Sequence, residues 1–192
     1  MNLTPEIIIS ILIGIGLAAS VGFRIFVPLF ALSLASHFNI IPLNESWQWV
    51  GSSVAIVTLG AATIVEILAY FIPFLDNLLD TIAVPLAAIA GTAVMVATVS
   101  DLDPAITWAL AIIAGGGTAA AIKGSTSTTR LASSATTAGI ANPVISTVET
   151  GTSIVMSVFS IFIPVLAIIL VAFIFWLLFK VFKLFKPSKS IK

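Results

Sequence analysis

The sequence contains no cysteine, a single histidine and very few charged residues. Without cysteine the chain cannot form disulfides, thiolate metal sites or a cysteine nucleophile, and His37 alone cannot form a histidine cluster. Charged residues make up 8% of the 192 positions, against about 25% in an ordinary soluble domain. No residue pattern typical of an enzyme active site is present either, so we expect no catalytic residues, no cofactor, no metal and no nucleic-acid partner.

Hydrophobic residues, by contrast, make up 59% of the chain, which predicts that lipid is its main solvent. Five of the eight basic residues lie at or beyond Lys180, in a tail that follows an apolar run. Basic residues next to a span are retained in the cytoplasm, so residues 186–192 are predicted to form a basic cytoplasmic tail. The first base is Arg24, so the N-terminus lacks the basic region of a secretory signal and is interpreted as part of a first span.

Six apolar segments have about the length needed to cross a bilayer, which is roughly 20 residues. They cover about 5–36, 51–72, 81–99, 104–122, 131–155 and 164–185. The first is too long for one crossing unless it tilts or breaks, and Gly14, Gly16, Gly22 and Pro28 are the expected places for a break. The fifth is rich in Ser, Thr, Ala and Gly, which suits a helix packed inside a membrane bundle, and we expect a break near Gly124 before it.

The order of features in the first half of the chain returns in the second half. Gly14, Ala18, Ala19 and Gly22 have the same spacing as Gly116, Ala120, Ala121 and Gly124, and an arginine follows each set. The two halves cover residues about 5–99 and 104–185, with three spans each. Because three is an odd number, the second half would cross the membrane in the orientation opposite to the first, as in many transporters whose site lies near the midplane. This predicts a single all-α membrane domain of about six transmembrane helices, an inverted 3+3 repeat with broken or polar helices. The alternative is a chance match, because Gly and Ala are common in membrane helices.

Four separated motifs occur in order: GIGLAASVGFRIFVPLFALSLA, VEILAYFIPFLDNLLDTIAVP, AIIAGGGTA and TTAGIANPVISTVE. Through these motifs the chain, from about Ile11 to Phe185, resembles an uncharacterised family of bacterial integral membrane proteins classed as a domain of unknown function. The resemblance implies a membrane fold, in a bacterial inner membrane, and it implies no activity. Separately, six spans place both termini on one side of the membrane, and the lysine tail predicts that this side is the cytoplasm. By position, the polar motif residues of that family correspond to Arg24, Glu66, Asp76, Asn77, Asp80, Arg130, Asn142, Ser146 and Glu149.

Charged residues inside the apolar segments are the main candidates for a site. An ionisable group inside a bilayer costs about 2.5 to 3.5 kcal/mol on insertion scales, so it faces a partner or a water-filled cavity. Arg24, Glu66, Arg130 and Glu149 are placed in this way. Their positions along the predicted spans predict two pairs, Arg24 with Glu149 and Arg130 with Glu66. These residues fit a substrate or ion path as well as they fit internal ion pairs that fix the bundle.

Two carboxylates and an amide lie near the start of the third span. Asp76 and Asp80 are one helical turn apart, so they lie on the same helix face, and Asn77 follows Asp76 directly. Oxygen ligands of this kind can bind a cation. The favoured interpretation is that they cap the third helix, because acidic residues at a helix N-terminus are stabilised by the helix dipole.

Three glycines, 115–117, precede a run of hydroxyl residues. We interpret the glycines mainly as a helix break or as a point of close packing. If the helix breaks there, its freed backbone groups can bind an ion or anion. The hydroxyls of Ser125 and Thr126 would then lie close to that ion and belong to the site.

Three functions fit these features. The first is a small transporter or channel with a polar intramembrane site between the two halves, the second a lipid scramblase or flippase, and the third a structural membrane assembly partner. An enclosed cavity at the charged residues favours the first, a groove open to the side the second, and fully paired charges without a cavity the third. A chain of 20.0 kDa has little room for a pathway, so we expect a homodimer in the bilayer that binds a small solute, an ion or a lipid headgroup.

Overall fold

All regular secondary structure is helical in the residues that the computed structural model describes, 4–99 and 102–185. The side chains of Pro73, Phe74, Asn77, Val181, Phe182, Leu184 and Phe185 are not described. The elements are α1 (Pro5–Phe23), α2 (Phe26–His37), a 3-10 helix (Glu45–Gly51), α3 (Ser53–Ala69), α4 (Pro73–Thr98), α5 (Pro104–Leu110), a π-helical segment (Ala111–Gly116), α6 (Gly117–Thr137), α7 (Asn142–Phe162) and α8 (Pro164–Phe185). The all-α class is confirmed, while the predicted tail 186–192 lies outside the described residues.

The long apolar helices suggest a membrane protein. Four of them are long and apolar enough to span a bilayer: Pro5–Phe23, Leu78–Thr98, Pro104–Thr137 and Asn142–Phe162. The 3-10 helix and α3 are bent by 65° and count as a fifth span if they are taken together. Two shorter apolar helices, Phe26–His37 and Pro164–Lys180, complete the bundle. The described helices therefore give four or five candidate spans where the sequence predicts about six.

Proline and hydrogen-bonding side chains mark where the helices begin. Pro5, Pro104 and Pro164 are each the first residue of a helix, a position that needs no backbone N–H. The Asp103 carboxylate accepts a hydrogen bond from the backbone N–H of Ala105 at 2.8 Å and so caps α5. The predicted last helix, 164–185, is confirmed by α8.

The first apolar segment breaks, as expected, but at Arg24 and Ile25 rather than at a glycine or at Pro28. The glycines of α1 remain helical because they lie against neighbouring helices. A Cβ added to Gly22, for example, would lie 2.5 Å from Ile122 Cβ of α6. Helix α1 thus lies in the centre of the bundle, where it packs against α4, α6, α7 and α8.

The glycine run is a point of close packing and not a helix break. The π-helical segment passes through Gly115 and continues directly into α6. A Cβ added to Gly115 would lie 2.6 Å from the carbonyl oxygen of Gly91 in α4, and a Cβ added to Gly91 would lie 2.7 Å from that of Gly115. Only glycine allows the two backbones to approach this closely.

Two predicted boundaries in the polar part of the chain are wrong. Helix α6 runs through Gly124 without a break, and residues 131–155 are not one helix, because a turn separates α6 from α7. Ala138 and Gly139 in this turn have left-handed backbones, with φ of 52° and 83°. Pro143 then lies in the first turn of α7, where a proline is tolerated, whereas inside a continuous helix it would disrupt the hydrogen-bonding pattern.

Candidate functional site

Three cationic side chains surround the ring of Tyr70, the only tyrosine in the sequence. Arg24 Cζ lies 4.0 Å from the ring centroid, Arg130 Cζ 4.4 Å and Lys123 Nζ 5.0 Å. These distances are within the range of cation–π attraction. Tyr70 is 3% exposed, and none of the three cations is more than 1% exposed. The fold therefore buries three positive charges around one aromatic ring.

Arg130 of α6 joins this centre to two other helices. Its Nε donates a hydrogen bond to Glu149 Oε1 at 3.1 Å, and its Nη2 donates to Glu149 Oε2 and to Ser146 Oγ, the latter at 2.9 Å. Its Nη1 donates to Asp76 Oδ1 at 3.2 Å. A two-point contact between a guanidinium and a carboxylate is a strong charge-assisted interaction. Through its buried contacts with Asp76 and Glu149, Arg130 links α6 to both α4 and α7.

The position of the turn explains why Arg130 meets Glu149. Arg130 lies seven residues before the end of α6, and Glu149 lies seven residues after the start of α7. Two helices joined by a short turn bring such equidistant residues side by side. The predicted pair of Arg130 with Glu66 is therefore wrong.

Asp76 takes part in this network and does not cap its own helix. Besides Arg130, it binds Asn142, whose Nδ2 donates to Asp76 Oδ2 at 2.9 Å and to Ser134 Oγ at 3.1 Å. The N-cap of α4 is Ile72, and no side chain caps it. Asp76 therefore lies in the first turn of α4, where the helix dipole favours an acid as predicted, but its carboxylate makes no capping hydrogen bond and binds Arg130 and Asn142 instead.

The predicted pair of Arg24 with Glu149 is confirmed. Arg24 Nη2 lies 3.7 Å from Glu149 Oε2, so Glu149 lies between two arginines and contacts Arg130 more closely. Arg24 Nε also donates to Thr150 Oγ1 at 3.0 Å, and Nη2 donates to the backbone carbonyl of Ser146 at 3.0 Å. Arg24 is thereby anchored mainly to α7.

Glu66 caps a helix instead of pairing with an arginine. Its two carboxylate oxygens accept hydrogen bonds from the backbone N–H groups of Ile25, at 2.8 Å, and Phe26, at 2.9 Å. These N–H groups belong to the start of α2, which has no capping side chain of its own. The break after α1 exposes them inside the protein, where a helix terminus needs acceptors and favours a negative charge.

Asp80 is held more loosely than the other three carboxylates. Tyr70 Oη and Ser127 Oγ donate to its Oδ1 at 3.4 and 3.5 Å, and Arg130 Nε lies 3.9 Å from its Oδ2. Each of these distances exceeds the usual range for a strong charge-assisted hydrogen bond. The Asp80 side chain is nevertheless only 10% exposed. It does not cap α4 either, since the helix begins at Pro73.

Three buried polar atoms have no hydrogen-bond partner among the described residues: Arg24 Nη1, Lys123 Nζ and Asn142 Oδ1. The Lys123 ammonium contacts the ring of Tyr70 but donates no hydrogen bond to a described residue. We call Asp76, Arg130, Asn142, Ser146 and Glu149 the tight side of the cluster, and Asp80 and Lys123 its loose side. The predicted site residues missed Lys123 and Tyr70, although Lys123 and Arg130, seven residues apart, lie on one face of a helix.

Two of the predicted site residues lie apart from the cluster. Ser125 Oγ donates to the carbonyl of Ala121 at 2.9 Å, and Thr126 Oγ1 donates to that of Lys123 at 3.0 Å. Their hydroxyls therefore bind their own continuous helix, so the predicted ion site at a broken helix is wrong. The side chain of Asn77 lies outside the described part. Within residues 4–99 and 102–185, no group of three or more histidine or acidic side chains is arranged to hold a metal.

A crevice of about 280 Å³ runs from the surface between α6 and α7 to the cluster. Its walls include the side chains of Thr126, Thr129 and Thr152, and it reaches Glu149. Apolar residues, among them Phe23 and Val148, line the rest. The crevice is therefore a mainly apolar opening between α6 and α7 that reaches Glu149, a residue of the cluster.

The model of one protein family, described as a domain of unknown function (DUF4126), matches residues 11–184. The match covers the cluster and every described helix in whole or in large part. The resemblance to a family of this class is thereby confirmed. No curated protein and no solved structure matches the chain.

Proposed function

Since the chain belongs to the DUF4126 family, whose description assigns no activity, we propose that it is a small membrane transporter or channel. It binds a polar solute or an ion at the cluster around Tyr70. One observation carries this proposal: Arg24 Nη1, Lys123 Nζ and Asn142 Oδ1 are buried without hydrogen-bond partners among the described residues. Two spare donors and one spare acceptor suit a ligand that has both kinds of group.

The unpaired groups are an energetic cost unless something binds them. A buried donor or acceptor without a partner costs about 1 to 3 kcal/mol, and more when it is charged. Arg130 hydrogen-bonds to Glu149 and Asp76 and thereby links α4, α6 and α7. Lys123 adds a buried charge and contributes no hydrogen bond to the fold. A binding role explains why such a costly residue is present.

The two halves of the chain supply the cluster in equal shares, which supports a site at their junction. Residues before position 100 contribute Arg24, Glu66, Asp76 and Asp80, and residues after it contribute Lys123, Arg130, Asn142 and Glu149. This is the arrangement expected of two inverted three-span repeats with a midplane site. The proposal places the protein in a bacterial inner membrane as a homodimer of six-span chains, with both termini in the cytoplasm.

Flux into proteoliposomes tests this function. Vesicles with the wild-type chain are compared, over labelled ions, amino acids and phosphorylated compounds, with vesicles that contain Lys123→Met. Methionine keeps much of the length of the side chain and removes the charge. Lys180→Met is the matched control, because Lys180 is exposed and lies over Trp176, away from the cluster.

We expect that uptake of at least one solute requires the protein. That uptake should be at least about tenfold slower with Lys123→Met, and it should proceed at the wild-type rate with Lys180→Met. A factor of ten corresponds to about 1.4 kcal/mol, which one charged contact readily supplies. If no solute moves, or if Lys123→Met transports at the wild-type rate, the proposed function is contradicted.

A second function, lipid scrambling, is favoured by the crevice between α6 and α7. The crevice opens to the side, and its walls include three threonines and Glu149, which is the kind of lateral opening that a lipid path requires. Thr129→Phe should fill this crevice, because Thr129 is exposed and forms part of its wall. Thr136→Phe is the control: Thr136 is exposed on the same helix and forms no part of the wall.

Access of a membrane-impermeant quencher to a headgroup-labelled lipid measures scrambling. If the protein handles lipid, the wild type and Thr136→Phe make all the label accessible, and Thr129→Phe leaves the inner half protected. Protection of half of the label in wild-type vesicles would contradict this second function.

A further inference from the structure

The loose side of the cluster holds two ionisable groups that the tight network does not use. Each of the other three carboxylates of the cluster accepts two hydrogen bonds of 3.2 Å or less. Glu66 accepts them from two backbone N–H groups. Asp76 accepts one each from Arg130 and Asn142, and Glu149 accepts two from Arg130. Asp80 has no contact shorter than 3.4 Å among those described. It is therefore the carboxylate for which a negative charge is least well stabilised.

The position of Lys123 gives independent evidence about Asp80. A lysine has a flexible stem and a mobile ammonium group, and both Lys123 and Asp80 contact the same tyrosine, one at its ring and one at its hydroxyl. Lys123 Nζ has no hydrogen-bond acceptor among the described residues, so it does not hydrogen-bond to Asp80. Asp80 therefore lacks the direct contact with an ammonium group that would best stabilise its charged form.

The cost of burial points to the same group. A buried carboxyl group without adequate partners becomes neutral by binding a proton instead of remaining charged. Asp80 is the carboxylate of the cluster whose described contacts are all 3.4 Å or longer.

We infer that Asp80 is a proton-binding site and that its proton is the ion coupled to transport. The inference rests on the proposed transport function and names the ion that accompanies the solute. Asp80 is nine-tenths buried and Lys123 is fully buried. A proton fits such a site because it needs no cavity, whereas a hydrated metal ion does.

The groups that act on Asp80 come from several elements. Lys123 and Arg130 of α6, Asp76 of its own helix and Glu149 of α7 act on it electrostatically, and Tyr70, which follows α3, contacts it directly. Arg24 lies over the ring of the same tyrosine. Of the other elements that pack against α4, α1 carries only Glu6, α2 only His37, and residues 104–122 carry no ionisable side chain.

The coupling follows from the proton balance. In the conformation described, the proton is covalently held by a carboxyl oxygen of Asp80. When it leaves to water, the O–H electron pair stays on that oxygen, and the new carboxylate attracts the Lys123 ammonium away from Tyr70. The donor offered to the solute is thereby withdrawn. Proton binding and solute binding must then strengthen each other to the same extent, since linkage is reciprocal.

Infrared spectroscopy of the purified full-length chain tests the proton directly and needs no solute. The wild type should show the carbonyl band of a protonated carboxylic acid at neutral pH, and Asp80→Asn should lose it. Glu45→Gln is the control, because Glu45 is an exposed carboxyl outside the cluster, and it should keep the band. Absence of the band from the wild type, or its full retention in Asp80→Asn, would overturn the inference.

Flux at varied pH completes the test and separates the two proposals. With the wild type, an inward proton gradient should accelerate uptake of the transported solute at least about tenfold, whereas with Asp80→Asn the gradient should have no effect. Asparagine resembles the protonated acid in shape, so this variant should fold. If the wild type takes up solute at a rate that does not depend on the proton gradient, the inference about Asp80 is overturned and the proposed transport function stands. If no solute moves while the infrared band depends on Asp80, the proton site stands and the transport function fails.

Discussion

The tight and loose sides of the cluster lie around the same tyrosine yet satisfy their charges very differently. On the tight side, Arg130 uses Nε, Nη1 and Nη2 in hydrogen bonds to Glu149, Asp76 and Ser146. On the loose side, Asp80 has only long contacts, and Lys123 Nζ has no acceptor within the described structure. Breaking a buried, well-paired charge is strongly destabilising, whereas a buried charge without a partner contributes little to stability. The contrast predicts that the tight side stabilises the bundle, and it fits the proposed binding role of the loose side.

The largest expected effect follows from removing a charge on the tight side. Glu149→Gln leaves Arg130 and Arg24 facing a neutral amide in a buried setting, and breaking a buried pair in this way costs about 3 to 5 kcal/mol. Thermal unfolding in one detergent measures the loss. Glu45→Gln, an exposed control, should change stability by less than about 0.5 kcal/mol. Similar melting temperatures for the two variants would contradict a structural role for the tight side.

A smaller loss is expected at Glu66, which lies outside both sides and caps α2. A glutamine has one acceptor oxygen in place of two, so Glu66→Gln leaves one of the two N–H groups of Ile25 and Phe26 unsatisfied. An unsatisfied buried donor costs about 1 to 3 kcal/mol. Hydrogen exchange should show faster opening at the start of α2 in this variant. Wild-type protection there would show that the cap contributes nothing.

On the loose side, removal of a charge is expected to cause no loss of stability, and any change should have the opposite sign. Lys123→Met removes a buried charge that no hydrogen bond to a described residue stabilises. Replacing buried ionic groups with hydrophobic ones is often neutral or stabilising by about 1 to 4 kcal/mol. The melting temperature of Lys123→Met should therefore equal or exceed that of the wild type. A clear decrease would mean that Lys123 holds the bundle together.

Much of the fold follows from hydrophobic patterning, and the exceptions have specific causes. Apolar runs and prolines predict the helices that begin at Pro5, Pro104 and Pro164. The segment 131–155 was assigned to one helix because its small residues suit a helix interior. The left-handed turn at Ala138 and Gly139 then went unrecognised, since an Ala-Gly pair is a weak signal when the surrounding residues favour a helix.

That single error explains the wrong ion pair. In one continuous helix, Arg130 and Glu149 would be about 28 Å apart at 1.5 Å per residue, which left Glu66 as the nearest candidate for Arg130. The turn brings Arg130 and Glu149 together. The identity of the buried charges was thus predictable from composition, because charges in apolar segments are rare, whereas their partners depend on where the chain reverses.

The most direct test of the contrast compares two matched variants, Asp76→Asn and Asp80→Asn. The two aspartates lie one turn apart on the same helix, so the chemical change and the helix that carries it are the same, and the two variants differ in the partners that the carboxylate loses. The free energy of unfolding is measured for both variants in one detergent. It should fall by about 3 to 5 kcal/mol for Asp76→Asn, because this substitution breaks a buried pair. It should fall by less than about 1 kcal/mol for Asp80→Asn, because this substitution replaces a neutral acid with a neutral amide. Equal losses in the two variants, or a greater loss for Asp80→Asn, would contradict the division of the cluster into a tight side and a loose side.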